Sequence, residues 1–66
     1  MDKTRLQGRE VIVEFYPVGR IVRVTAMDTK TLTEVTIQGP AHVGEHSLRQ
    51  NALKKLEYVL TKKGLI

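Results

Sequence analysis

The chain has no cysteine and no tryptophan, two prolines, one phenylalanine and two tyrosines in 66 residues. Without cysteine there is no disulfide framework and no thiolate zinc site, which suits a reducing compartment. No stretch approaches the roughly 20 apolar residues that span a bilayer. The opening Met1-Asp-Lys-Thr-Arg-Leu-Gln-Gly8 lacks the apolar run of a signal peptide. A P-loop, a Rossmann glycine pattern and a nucleophile elbow are all missing. These absences together lead us to expect a cytoplasmic protein that is not an enzyme, holds no cofactor and does not enter a membrane.

What is present suits one small folded domain over 1–66, with residues 1–8 as a flexible N-terminal tail. A chain this short buries only about 60% of the surface its unfolded form exposes, so domains of this size often lean on a partner chain. The net charge is +4, and it is unevenly placed. From Arg9 to Pro40 four basic residues balance four acidic ones, whereas from Glu45 onward five basic residues face two acidic ones.

Val11-Ile-Val-Glu-Phe-Tyr16 is rich in β-branched and aromatic residues and reads as a strand. Ile21 to Met27 reads as a second, and Thr33 to Gln38 as a third with clean period-two alternation. Gly39-Pro40 is expected to end the third strand, because proline cannot donate to a ladder. With Val18-Gly19 as a two-residue turn, Tyr16 faces Ile21, Glu14 faces Arg23 and Ile12 faces Thr25. On the other face Phe15 meets Val22, Val13 meets Val24 and Val11 meets Ala26. A second turn, Asp28 to Thr31, sets Val24 against Val35 and Val22 against Ile37, with the Asp28 side chain bonding nearby backbone. The expected core face is Val11, Val13, Phe15, Val22, Val24, Ala26, Val35 and Ile37.

Ser47 to Lys63 has apolar residues at helical spacing. Ser47 and Gln50 match a capping box, and Gly64 is placed as a C-cap. Leu48, Ala52, Leu53, Leu56, Val59 and Leu60 form one apolar arc. The expected fold is α+β: a three-stranded antiparallel β-meander with one C-terminal α-helix on one face (βββα).

Two surfaces remain. The open sheet face carries Ile12, Tyr16, Ile21, Met27 and Leu32 among Glu10, Glu14, Arg23, Thr25, Glu34, Thr36 and Gln38. That is more large apolar surface than a small monomer usually shows, so these five residues form a candidate oligomer face. The expected partner is a second copy, in a homodimer, or another protein. The outer helix face carries Lys54, Lys55, Tyr58 and Lys62, an aromatic ring among lysines. Stacking plus phosphate attraction would let such a face, together with the N-terminal tail, bind nucleic acid, the alternative function. Its weakness is the acidic open sheet face, since phosphate attraction supplies most of that affinity.

His42-Val-Gly-Glu-His46 matches the H-x-x-E-H zinc-peptidase pattern. That chemistry needs both histidines on one helix face and a third ligand. Pro40 and Gly44 argue for a loop here, and no third histidine or cysteine exists. The stretch is read as a polar connection, with no metal and no catalytic site.

From about Glu10 to Leu60 the chain resembles a small family of uncharacterised bacterial proteins known only as a domain of unknown function. The resemblance is carried by Val18-Gly19 before Val22-Arg-Val-Thr-Ala26, by Asp28, by Glu34-Val35 leading to Gly39-Pro40, and by Lys55-Leu-Glu-Tyr-Val-Leu60. The family favours proline and glycine in the second turn, where this chain has Thr29 and Leu32. The resemblance implies a fold and no activity. On the residues alone, the leading function is a non-enzymatic module for self-association or protein interaction.

Overall fold

The computed structural model describes residue 6 and residues 8–66. Three strands, β1 (Val11–Val18), β2 (Ile21–Asp28) and β3 (Thr33–Pro40), form an antiparallel sheet in the order β1-β2-β3. A short 3-10 turn (Ala41–Val43) then leads into α1 (Glu45–Lys62), which lies on one face of the sheet. The expected βββα meander is the observed fold. No helix among the described residues is long and apolar enough to cross a membrane.

Alternation sets the core. Val22, Val24 and Ala26 of β2 and Val35 of β3 are buried beneath Leu48, Ala52, Leu56 and Leu60 of α1. Val11, Val13, Phe15 and Ile37 pack against them while half-buried. This is the core face expected from the sequence. Leu6 joins it as a buried residue, although the expected tail would have left it outside; residues 1–5 and 7 of that tail lie outside the described residues.

The strand register differs from the expected one by two residues in both hairpins. Val18 pairs with Ile21, Tyr16 with Arg23, Glu14 with Thr25 and Ile12 with Met27. The turn is therefore Gly19-Arg20. Two-residue hairpin turns need positive φ at the first central position. Val18 there would be strained by its β-branch, whereas Gly19 takes φ 63 freely. Arg20 is not among the positive-φ residues, which is the pattern of a type II′ turn. In the second hairpin Val24 meets Ile37, Ala26 meets Val35 and Val22 meets Gly39. Here β2 continues to Asp28, and the Leu32 amide donates to the Asp28 carbonyl (2.7 Å), so the connection is Thr29 to Leu32. A shift of two leaves every side chain on its expected face.

β3 also outruns its expected end and includes Gly39-Pro40. The Ala41 amide donates to the Arg20 carbonyl at 2.9 Å. Pro40, opposite Ile21, is then a non-hydrogen-bonded pair, and its missing N–H falls on the outer edge, where proline is tolerated.

The helix starts two residues before the expected cap. Gly44, at φ 88, occupies the N-cap position with no side-chain cap, and Ser47 lies inside the helix. The left-handed glycine turns the chain straight from the 3-10 segment into α1, so no capping box forms. Glu45 in the first turn and Lys62 in the last complement the helix dipole. At the far end Gly64 (φ 72) follows the cap residue Lys63. The Gly64 amide bonds the Thr61 carbonyl, and the Leu65 amide bonds the Leu60 carbonyl. This is a Schellman motif.

Gly39 fixes how closely the helix approaches the sheet. A Cβ there would collide with Cδ2 of Leu48, itself buried. Gly39→Ala should therefore lower the unfolding free energy by about 1–3 kcal/mol, the usual cost of overpacking. Urea denaturation followed by circular dichroism measures this, and an unchanged midpoint would contradict the packing described.

Candidate interaction surface

The open face of the sheet is built from four cross-strand rows: Ile12–Met27–Glu34, Glu14–Thr25–Thr36, Tyr16–Arg23–Gln38 and Val18–Ile21–Pro40. Its apolar content is lopsided. Ile12 (42% exposed), Tyr16 (46%) and Val18 (58%) stand on β1, with Ile21 (40%) beside them on β2. Met27 is half-buried next to Ile12. β3 contributes Glu34, Thr36 and Gln38, with Pro40 at its end. Leu32, 70% exposed, lies in the β2–β3 connection at φ 60, beyond the strands and apart from these rows. Four of the five residues of the expected face thus share the sheet. Val18 joins them, having been hidden by the assumption that it was a turn residue. The Tyr16 hydroxyl donates to Glu14, which raises the phenol above its ordinary pKa.

The two sheet edges are not equivalent. On β3, Nζ of Lys55 donates to the outward carbonyl of Thr36 at 2.9 Å. A lysine laid across an edge blocks strand addition there. On β1, the two-residue turn and the bond from the Thr29 amide to the Glu10 carbonyl make Val18–Ile21, Tyr16–Arg23, Glu14–Thr25 and Ile12–Met27 the hydrogen-bonded pairs. Val11, Val13 and Phe15 therefore turn their N–H and C=O groups outward. Among the described residues none of these groups has a backbone partner outside its own sheet. Above the same edge, Phe15 lines a cleft of about 260 Å³ with Glu45, His46 and Arg49 of the first turns of α1.

The basic helix face is arranged differently from its expectation. Lys54, Lys55, Tyr58 and Lys62 are all exposed. Lys55, however, is engaged with β3, and Nζ of Lys62 lies 5.8 Å from the centroid of the Tyr58 ring, within cation–π range. Among the described residues Lys54 makes neither kind of contact. The H-x-x-E-H stretch is split: His42 lies in the 3-10 turn, Gly44 breaks the chain, and Glu45 and His46 open the helix. Only part of it is the polar connection expected. Among the described residues no three of His, Cys, Asp and Glu gather closely enough to hold a metal ion.

The strongest electrostatic feature was not foreseen as such. Asp28 continues the Val22–Val24–Ala26 row and is fully buried. Its carboxylate accepts two bonds from Arg9, Nε to Oδ1 at 3.1 Å and NH2 to Oδ2 at 2.9 Å. The Thr31 amide and hydroxyl donate to Oδ2 at 3.0 and 2.7 Å, and the Thr31 hydroxyl lies 2.9 Å from that of Thr33. The Arg9 guanidinium first, and the Thr31 donors after it, outweigh desolvation and hold the carboxyl well below its ordinary range. With its oxygens occupied and none of its surface in water, Asp28 clamps the chain entering β1 to the end of β2. A signal for it existed: Arg9 has the parity of Val11, Val13 and Phe15, and Asp28 that of Val22, Val24 and Ala26. Two opposite charges therefore continue the core rows of paired strands.

Among the described residues the architecture is that of a small open-sheet α+β module with one plugged edge and one open edge. Residues 8–63 match the profile of a family described as a domain of unknown function (DUF6898), and the chain belongs to that family. No curated protein and no solved structure gives a match.

Asp28 sets an acid limit on stability. Its folded pKa lies below its ordinary value of 3.8, so between the two the unfolded chain binds the extra proton and stability rises with pH. The contribution is complete above the ordinary value and is lost as pH falls below it. Urea unfolding measured from pH 2 to 6 should show this loss, and Asp28→Asn should be less stable at pH 6 with a flatter acid limb. Parallel pH profiles for the two proteins would contradict the assignment.

Proposed function

We propose that this protein is a non-enzymatic module whose activity is association with a second copy of itself. The observation that carries this is the concentration of exposed Ile12, Tyr16, Val18 and Ile21 on the β1 side of a sheet whose β1 edge is open. Exposed apolar surface of this kind marks contacts, and a closed two-fold pair is the commonest way for identical chains to cover it. A non-enzymatic reading is supported by Asp28, the one perturbed carboxylate among the described residues, being shielded from water and spent on Arg9 and Thr31. Nucleic-acid binding ranks second because Lys55 is drawn to the edge of β3 and Lys62 sits over the ring that would stack on a base.

Static light scattering at tens of micromolar protein should give about twice the 7.5 kDa chain mass. Ile12→Lys with Val18→Lys should return the mass to that of one chain while leaving circular dichroism unchanged, because both side chains already face solvent. A monomeric unmodified protein would contradict the proposal.

A further inference from the structure

Resting on that reading, we infer that the second copy adds antiparallel to β1 about a two-fold axis at Phe15, so that the two sheets join into one of six strands. β1 offers outward backbone groups at Val11, Val13 and Phe15, and at Pro17 a carbonyl without an N–H. β3 is blocked by Lys55. The partner therefore approaches β1.

Side chains select the register. Outward groups must meet outward groups, so each odd-numbered residue of β1 faces an odd-numbered residue of the second copy. An axis at Val13 sets Ile12 against Glu14 of the second copy. An axis at Glu14 sets the two Glu14 carboxylates against each other, and an axis at Ile12 does the same to Glu10 and Glu14. An axis at Tyr16 opposes Glu14 to Val18 and Ile12 to Arg20. Like charges in direct opposition are destabilising, and charges against apolar residues leave both poorly partnered. The axis at Phe15 avoids both faults. It sets Glu14 beside Tyr16 of the second copy, Ile12 beside Val18, and Glu10 opposite Arg20, each occurring twice by symmetry. The apolar rows Ile12–Met27 and Val18–Ile21 then run on across the seam.

The inner face fits the same arrangement. A two-fold axis through an antiparallel strand pair stands perpendicular to the sheet, so both helices lie on one side. α1 covers β2 and β3, leaving Val13 and Phe15 half-buried. Pairing at Phe15 brings the two Phe15 rings together at the clefts lined by Glu45, His46 and Arg49, where each copy covers the other's incompletely buried row.

The absence of native cysteine allows a direct test. Ile12→Cys and Val18→Cys chains are mixed in equal amounts in a glutathione redox buffer. Opposite residues in a non-hydrogen-bonded pair have Cα atoms about 4.5 Å apart, within disulfide range. The mixed disulfide should dominate both homodisulfides. Glu10→Arg should weaken the dimer about tenfold by reversing two symmetric ion pairs, and Glu10→Arg combined with Arg20→Glu should restore it. A dimer that links Ile12→Cys to Glu14→Cys instead, or shows no rescue by the charge swap, overturns this pairing while self-association stands. A monomeric unmodified chain overturns both.

Discussion

The burial of one alternating row on the central strand organises this molecule. Val22, Val24 and Ala26 must be covered, and one helix does it. An α-helix with its side chains is about 10–12 Å across, while strands are spaced about 4.7–4.9 Å. A single helix therefore covers two strands well and a third poorly. Here α1 settles over β2 and β3, drawn in by the missing side chain at Gly39 beneath Leu48. β1 is left with a half-covered inner row and a free edge.

The same row explains the buried charge. Asp28 is its fourth member, and strand alternation carries a carboxylate to the core side. Such a group is costly unless it is paired and hydrogen-bonded. Arg9 and Thr31 supply both needs. The segment before β1 is held against the sheet as a consequence, and Leu6 lies in the core. The clamp thus joins the first described residues to the β2–β3 connection.

Faces proved easier to read than registers. Alternation alone assigned Val11, Val13, Phe15, Val22, Val24, Ala26, Val35 and Ile37 to one side, and a two-residue error in pairing left that assignment intact. The register needed turn chemistry: a valine cannot readily take positive φ, so Gly19 had to lead the turn. Ser47 and Gln50 formed a plausible capping pattern, but Gly44 started the helix before either residue could act. Lys55 was assigned to the solvated helix face because sequence spacing does not reveal that a long side chain reaches a strand edge. The Arg9–Asp28 pair is hard to read from sequence because Arg9 lies just outside the expected first strand. Of the candidate face, Ile12, Tyr16, Ile21 and Met27 were legible, whereas Val18 was hidden by the misplaced turn.

Membership of a family without a known function leaves the surface as the guide, and the surface is asymmetric. Among the described residues one edge is blocked by a lysine, and the other is open and flanked by apolar residues on both faces. Backbone amide exchange tests this account most directly. Val13 and Phe15 point their N–H groups outward from β1, so a monomer exposes them to water, while pairing at Phe15 bonds both. The account predicts that exchange at Val13 and Phe15 slows as protein concentration rises from about 1 μM towards 1 mM, while that of Val24, already inside the sheet, is far less affected. Exchange at Val13 and Phe15 that stays fast at every concentration would contradict it.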